Sequence, residues 1–134
     1  MIPVRAVLFL ALLAGLLATF SSAAEAPGTA AEIVASKRAF APEVVTLRLD
    51  APATLIIRNE DEDLHAFVPL LLFQRTNVQV AGNGAPEFNE TGFVRVLVPP
   101  RGRAELRFTP RTAGTFFYFC DLPGHNMRAL IVVK

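Results

Sequence analysis

The sequence predicts an all-β protein, a sandwich or barrel of seven or eight short antiparallel strands. Short apolar segments recur along the chain, separated by proline, glycine, asparagine and aspartate, the residues that favour turns. Two of these segments alternate apolar and polar residues, as strands with one buried face do. No segment has the apolar spacing of an amphipathic helix, and no internal repeat is found.

Eight strands are expected in order along the chain. The alternation is clearest in 92–98 and in 104–108, where Ala104, Leu106 and Phe108 share one face. The other segments are assigned from β-branched and aromatic residues bounded by turn residues. The predicted strands are 32–39, 44–49, 54–59, 65–68, 92–98, 104–108, 114–120 and 129–133.

Three segments are harder to assign. Residues 74–91 give the weakest strand signal, and AGNGAPEFNE within them has the composition of a loop. The aromatic run FFYF at 116–119 is predicted to be core, because consecutive aromatic residues in a strand indicate that both faces are covered. PLLLF at 69–73 could form an exposed apolar patch, but we expect it to belong to the core.

The first residues have the pattern of an export signal. Arg5 gives a short positive region, an uninterrupted apolar segment follows, and small residues precede a cleavage point after Ala24. The apolar segment is shorter than the ~20 residues of a spanning helix, which favours cleavage over an uncleaved anchor. We expect a signal peptide at 1–24, a flexible lead-in at 25–31 and one domain at 32–134, located in a bacterial periplasm with no membrane span after cleavage.

Removal of the signal leaves a net charge near zero. The full sequence has 13 lysines and arginines against 12 aspartates and glutamates, and Arg5 is lost with the signal. The basic residues are scattered and form no dense run, so nucleic acid is not expected as a partner. About a hundred residues remain, enough for one domain with its own core.

The metal-binding residue types are few and clustered. Cys120, His125 and Met127 lie within CDLPGHNM, and His65 follows the polar turn NEDED at 59–63. A lone cysteine in an oxidising compartment is expected to be buried or metal-bound, because a free thiol would be oxidised. A thiolate, two imidazoles and a thioether suit copper, whereas zinc gains little from a thioether. These four residues therefore predict a copper site.

Two segments resemble the cupredoxins, the small blue-copper proteins such as azurin and plastocyanin. NEDEDLHAFV at 59–68 is similar to the segment of the first copper histidine, and GTFFYFCDLPGHNMRALIVVK at 114–134 is similar to the ligand loop and last strand. The resemblance implies an eight-stranded Greek-key β-sandwich. It also implies that His65, Cys120 and His125 hold one copper ion.

The chain departs from the cupredoxin pattern in two respects. In azurin-like loops the methionine lies four residues beyond the second histidine, where this chain has Ala129, but alignment of the last strand matches Met127 to the axial ligand. We expect Met127 to fill that role in a shortened loop, with a strained, long or absent axial bond. The asparagine that commonly follows the first histidine is replaced by Ala66, and Asp121 follows the cysteine. The tie between the two ligand loops is thus expected to be missing or replaced by Asn59.

The resemblance implies a periplasmic one-electron carrier. Protein redox partners would dock near His125, with Leu122 and Pro123 beside it. Two histidines cannot form both a blue-copper site and a catalytic one, so no enzymatic centre is expected. A copper-handling protein is one alternative, although the lead-in 25–31 has no histidine or methionine. Another is an electron acceptor that accompanies ferrous-iron uptake, with the acidic residues 60–63 attracting the ion.

Overall fold

The computed structural model describes residues 27–134, and these contain no α-helix. Within this part of the chain, no helix is long and apolar enough to cross a lipid bilayer. The predicted signal peptide at 1–24 lies outside the described residues. The strands are β1 (Thr29–Ser36), β2 (Ala39–Ala41), β3 (Val44–Leu47), β4 (Ala53–Asn59), β5 (His65–Pro69), β6 (Gln79–Gly82), β7 (Ala85–Asn89), β8 (Gly92–Val98), β9 (Arg103–Phe108), β10 (Gly114–Phe119) and β11 (Arg128–Val133).

The strands form the two sheets of a β-sandwich, which confirms the predicted all-β class. One sheet has the order β2-β1-β4-β9-β6 and the other the order β3-β11-β10-β5-β8-β7. Most neighbours are antiparallel, but β1 pairs with β4 and β3 with β11 in parallel. Both sheets are therefore mixed, whereas the sequence predicted antiparallel strands. The chain crosses to the second sheet for β3 before it returns at β4, and such crossovers permit parallel neighbours.

The core is built from alternate residues of paired strands. In β4 and β9, Leu55 lies opposite Leu106 and Ile57 lies opposite Ala104, and all four are fully buried or nearly so. Burial of a large aliphatic side chain contributes about 1.5–3 kcal/mol. The alternation recognised in the sequence at 104–108 thus places the inner face of β9 against the other sheet.

Three short strands, β2, β6 and β7, are absent from the prediction. The predicted strand 32–39 ends at Ser36, because Lys37 and Arg38 adopt positive φ angles of 52° and 55° and reverse the chain into β2. The other two strands lie in the segment 74–91. There β6 pairs with β9 and β7 with β8, so long neighbouring strands supply the hydrogen bonds that the loop-like composition does not predict.

The first strand begins earlier than expected. Residues 29–31 belong to β1, so this part of the predicted flexible lead-in 25–31 is ordered strand. Its backbone pairs in parallel with β4, starting with Thr29 beside Ala53. The pairing with a buried neighbouring strand orders a segment whose own composition favours flexibility.

The aromatic run 116–119 belongs to the core only in part. Tyr118 is fully buried, with its ring centroid 5.0 Å from those of Phe40 and Phe67, whereas Phe117 is 55% exposed. Strand β10 turns alternate side chains to the solvent-facing side of its sheet. The prediction that both faces of this strand are covered was therefore wrong.

The segment 69–73 is likewise divided. Leu72 and Phe73 are buried, as expected, but Leu70 and Leu71 are 49% and 64% exposed. The backbone N–H of Leu70, just beyond the end of β5, donates to the carbonyl of Phe117 in β10 at 3.0 Å, so two residues with exposed apolar side chains are neighbours. An exposed apolar patch therefore exists beside β10.

Candidate metal centre

Three strands bring the predicted donors to one end of the sandwich. His65 is the first residue of β5, Cys120 directly follows β10, and His125 and Met127 lie between β10 and β11. Strand β10 is the neighbour of both β5 and β11. Side chains that are distant in sequence therefore meet at the ends of adjacent strands.

The nitrogen and sulfur donors face one another. Nδ1 of His65 lies 3.2 Å from Nδ1 of His125, and Sγ of Cys120 lies 3.4 Å from the same His125 nitrogen. One donor atom from each of the three residues lies within 4.8 Å of the others. His65 and Cys120 are 1% and 4% exposed, whereas His125 is partly exposed. Of the three, His125 is thus the side chain nearest to solvent.

These separations fit a single metal ion. Metal–nitrogen bonds of about 2.0–2.1 Å and metal–sulfur bonds of about 2.3 Å, as zinc forms them, would reach donors spaced in this way. The backbone N–H of Ala66 lies 3.3 Å from Sγ of Cys120 and donates to it, which supports the negative charge of a thiolate. Two imidazoles and a thiolate, with a thioether at hand, favour copper.

Strand register explains how Met127 can join the site despite its short spacing from His125. Phe119 pairs with Arg128, and the N–H of Cys120 donates to the carbonyl of Met127 at 3.0 Å. Directly opposed residues of an antiparallel pair carry their side chains on the same face, with Cβ atoms about 4.5–5.5 Å apart. Met127 is 3% exposed and lines the same cleft as Cys120. The pairing thus directs the thioether to the side of the thiolate.

A tight turn positions His125. Its N–H donates to the carbonyl of Leu122 at 3.1 Å, and Gly124 has a φ of 77°. This matches a type II β-turn, with Pro123 at the second position and a residue of positive φ at the third. A Cβ atom at Gly124 would have no neighbour within 4 Å, so glycine is favoured there for its backbone conformation and not for space.

Asp121 anchors the ligand loop to β8. Its carboxylate accepts bonds of 2.8 and 2.9 Å from Arg95, which also donates to Glu87. The hydrogen bonds to Glu87 and Asp121 raise the pKa of Arg95 above its ordinary value, and Arg95 in turn lowers the pKa of Glu87. Asp121, which follows the cysteine and departs from the family pattern, therefore attaches the ligand loop to β8.

Asn59 fixes the loop of the first histidine, not the ligand loop. Its buried Nδ2 donates to the carbonyls of Asp63, Val98 and Pro99 at 2.7, 3.0 and 3.1 Å, and its Oδ1 accepts the N–H of Asp61 at 2.9 Å. These bonds hold the β4–β5 loop against the end of β8. The expectation that Asn59 replaces the family's tie between the two ligand loops was wrong.

The sequence alone does not reveal the role of Asp61. Its Oδ2 lies 2.8 Å from Nε2 of His65, and its carboxylate accepts the N–H groups of Lys37 and Arg38. Burial alone would raise the pKa of Asp61, but the hydrogen bonds from Arg38, His65 and Lys37 hold it below its usual range. The run NEDED indicated acidic neighbours for His65, but only the path of the loop determines which one contacts the ring.

The remaining acidic residues of 60–63 are paired with arginines. All these pairs lie at the surface, where solvent screens the attraction between the charges. The run is therefore not a cluster of unpaired carboxylates beside His65. The pairs are Glu60–Arg58, Glu62–Arg101 and Asp63–Arg38.

A β-sandwich that gathers two histidines, a cysteine and a methionine at one end defines a mononuclear type 1 copper protein. The chain belongs to the cupredoxin-like domain family, whose sequence model matches residues 8–133. The predicted family and the predicted copper cofactor are thereby confirmed. The family and the site together support the kind of function that an electron carrier with one bound copper ion performs. No curated protein matches the chain.

Several solved structures share this fold. Auracyanin A, a blue copper protein of Chloroflexus aurantiacus, is 18% identical, with a TM-score of 0.60 over 81% of this chain and 100% of that chain. Auracyanin of Roseiflexus castenholzii is 18% identical, with a TM-score of 0.59 over 79% and 97%. An amicyanin variant is 14% identical, with a TM-score of 0.51 over 77% and 80%. At these identities the likeness shows a common fold.

Proposed function

We propose that this protein carries single electrons between redox partners in the bacterial periplasm, through copper held by His65, Cys120, His125 and Met127. The observation that carries the proposal is the convergence of the two Nδ1 atoms and Sγ at distances of 3.2 and 3.4 Å. When bound, copper supplies a one-electron couple between Cu(I) and Cu(II). No separate catalytic centre is proposed.

The chain contributes a rigid set of donors. The turn at Pro123-Gly124 fixes His125, the Asp121–Arg95 contact fixes the loop, and strand pairing fixes Cys120 opposite the start of β11. Donors that are already in place need little rearrangement when the charge at the centre changes, and such preorganisation favours electron transfer. His65 and Cys120 are shielded from water, so the partly exposed His125 is the route to a partner.

A copper titration tests the proposal. Cu(II) added to the purified protein should produce an intense thiolate-to-copper absorption band that saturates at one copper per chain, and Cys120→Ser should abolish it. Voltammetry should then show a reversible one-electron couple. Failure of the band to form would contradict the copper site. A band without reversible electron exchange would favour copper handling over electron transfer.

We place partner docking on the surface around His125, with Leu122 and Pro123. Two exposed apolar side chains support a larger apolar surface there. Leu70 and Phe117, both exposed, line a cleft of about 500 Å³ together with His125. A partner with an apolar surface of its own could therefore approach the partly exposed histidine while excluding water.

The periplasmic location rests on the export pattern of the first 24 residues. Cleavage after Ala24 would leave a short segment before β1, which begins at Thr29. The amino-terminal sequence of the exported protein should therefore begin at Glu25. An intact amino terminus on the exported protein would indicate an uncleaved anchor instead.

The ferrous-iron hypothesis loses the feature that motivated it. The acidic residues 60–63 are engaged by arginines and by His65, so they offer iron no unpaired cluster of carboxylates. Rapid mixing of Fe(II) with the copper-loaded protein tests this directly. Fast bleaching of the absorption band would restore the hypothesis, and a stable band would remove it.

A further inference from the structure

Asp61 contacts the ring nitrogen of His65 that points away from the other metal donors. Its Oδ2 lies 2.8 Å from Nε2 of His65, while Nδ1 of the same ring faces His125. The side chains of Asp61 and His65 are 18% and 1% exposed. Because solvent screens this pair less than a surface pair, the charge of Asp61 acts more strongly on the ring.

The hairpin turn between β1 and β2 binds the Asp61 carboxylate through backbone hydrogen bonds. The N–H groups of Lys37 and Arg38 donate to its two oxygens at 2.7 and 3.0 Å. Both residues have positive φ angles, which cost a non-glycine residue on the order of 1 kcal/mol or more. Two successive N–H groups that converge on one anion form a backbone nest, and the bonds to Asp61 offset the cost of the turn.

His65 is the ion-pair partner of Asp61. Asp63, two residues further on, is paired with the Arg38 guanidinium at 2.8 Å, whereas the ion pairs of the described residues give Asp61 no partner but His65. The N–H of Asp61 is bound by Asn59, so the main chain is fixed as well. Hydrogen bonds to the side chain and to the main chain of Asp61 thus both hold its contact with His65 in place.

The Asp61 acceptor determines which nitrogen of His65 carries the proton. A carboxylate accepts hydrogen bonds, so in the neutral ring Nε2 bears the hydrogen and Nδ1 presents its lone pair. The 3.2 Å contact between the two Nδ1 atoms then requires His125 to be the donor in the metal-free protein. A metal ion would replace that single proton, with His65 already in the tautomer that ligation needs.

We infer that Asp61 is a positioning residue that lowers the reduction potential of the copper site by acting through His65. The inference rests on the proposed function, since it concerns bound copper. A carboxylate on the outer ring nitrogen makes the imidazole a more basic ligand, which favours Cu(II) over Cu(I). A neutral residue in its place should shift that preference by about tenfold, equivalent to 59 mV for one electron.

The first test compares Asp61→Asn with Asp63→Asn in the copper-loaded protein. Asp61→Asn keeps the size of the side chain and one oxygen that can accept from His65, so the fold and the absorption band should be retained. Its potential should rise by about 59 mV. Asp63→Asn removes the same charge without touching His65 and should leave the potential unchanged. Equal shifts in the two variants, or none in Asp61→Asn, overturn the inference.

A second test needs no copper and separates this inference from the copper proposal. Long-range nitrogen–proton correlation spectra of the metal-free protein report the tautomer of each histidine. His65 should carry its hydrogen on Nε2 in the wild type and in Asp63→Asn, and Asp61→Ala should reduce this population. A hydrogen on Nδ1 of wild-type His65 overturns the inference, even if the protein binds copper as proposed.

Discussion

Met127 is the donor whose role depends most on its neighbours. The spacing of two residues from His125 is short for the family, but strand pairing sets Met127 opposite Cys120. Met127→Leu keeps the volume of the side chain, so the fold should persist. The thiolate band should remain while the reduction potential rises, because loss of an axial donor favours Cu(I). Voltammetry checks this, and an unchanged potential and spectrum would make Met127 a core residue only.

Tyr118 affects the stability of the metal-free protein. Its ring is fully buried, and its hydroxyl has no hydrogen-bond partner among the described residues. Tyr118→Phe in the metal-free protein should therefore raise the free energy of unfolding by about 1 kcal/mol at pH 7. Chemical denaturation measures this difference. A less stable variant would show that the hydroxyl is satisfied, for example by a bound water.

The same variant has a pH signature. Burial raises the pKa of Tyr118 in the folded protein above that of the unfolded chain. The wild type is therefore not penalised by ionisation below about pH 10, and it loses stability as the pH rises above that value. The difference between Tyr118→Phe and the wild type should widen in this alkaline range. A constant difference would contradict the burial of an ionisable hydroxyl.

The metal donors could be predicted from the sequence, whereas the residues that hold them in place could not. Cys120, His125 and Met127 stand out because the predicted mature chain has so few soft or nitrogen ligands. Asp61 is different, since its role depends on a hairpin turn more than twenty positions away. Residue types reveal what can bind a metal, but folding decides which neighbour touches the bound group.

Among the elements, the β4–β5 loop depends on one buried amide. Asn59→Ala would leave the carbonyls of Asp63, Val98 and Pro99 without their donor. Loss of these bonds, of which the bond to Val98 is buried, should lower the free energy of unfolding by about 2–3 kcal/mol. Thermal or denaturant unfolding of the metal-free protein measures the loss.

Asn77→Ala is the matched control for this prediction. Asn77 is an exposed asparagine, and its replacement should change the free energy of unfolding by less than about 0.5 kcal/mol. If the two variants unfolded at the same denaturant concentration, the network of Asn59 would not be a stabilising feature of the loop.

The long strands could be predicted, and the short ones could not. β9 alternates apolar and polar residues, so its existence and inner face follow from periodicity, whereas β4 is predicted from its β-branched residues and the turn residues that bound it. β2, β6 and β7 are three to five residues long and mostly exposed, and they exist because longer strands offer them backbone partners. Phe117 escaped prediction for a related reason: the covering of a face is a property of the sheet, not of the strand.

Two copies of the whole molecule should exchange electrons when their surfaces around His125 meet. Leu122→Glu places a carboxylate beside His125, so two approaching molecules would repel each other and would have to desolvate a charge. Electron self-exchange between oxidised and reduced protein should slow by about tenfold or more. Nuclear magnetic resonance line broadening in mixtures of the two forms measures this rate.

Phe88→Glu is the control for that measurement. Phe88 is 56% exposed and pairs with Phe93, whereas the other end of β8 pairs with His65, so Phe88 lies away from the site. This variant carries the same kind of change and should exchange electrons at the wild-type rate. Equal rates in all three proteins would exclude the surface at His125 as the point of contact.

The start of the first strand and the end of the last strand both lie away from the metal donors. β1 begins at Thr29 beside Ala53, at the opposite end of β4 from Asn59, and β11 runs from Arg128 beside the site to Val133. A strand of six residues spans roughly 20 Å. An electrode surface or a fusion partner attached just before Thr29 or just after Val133 would therefore lie at the opposite end of the sandwich from the metal donors.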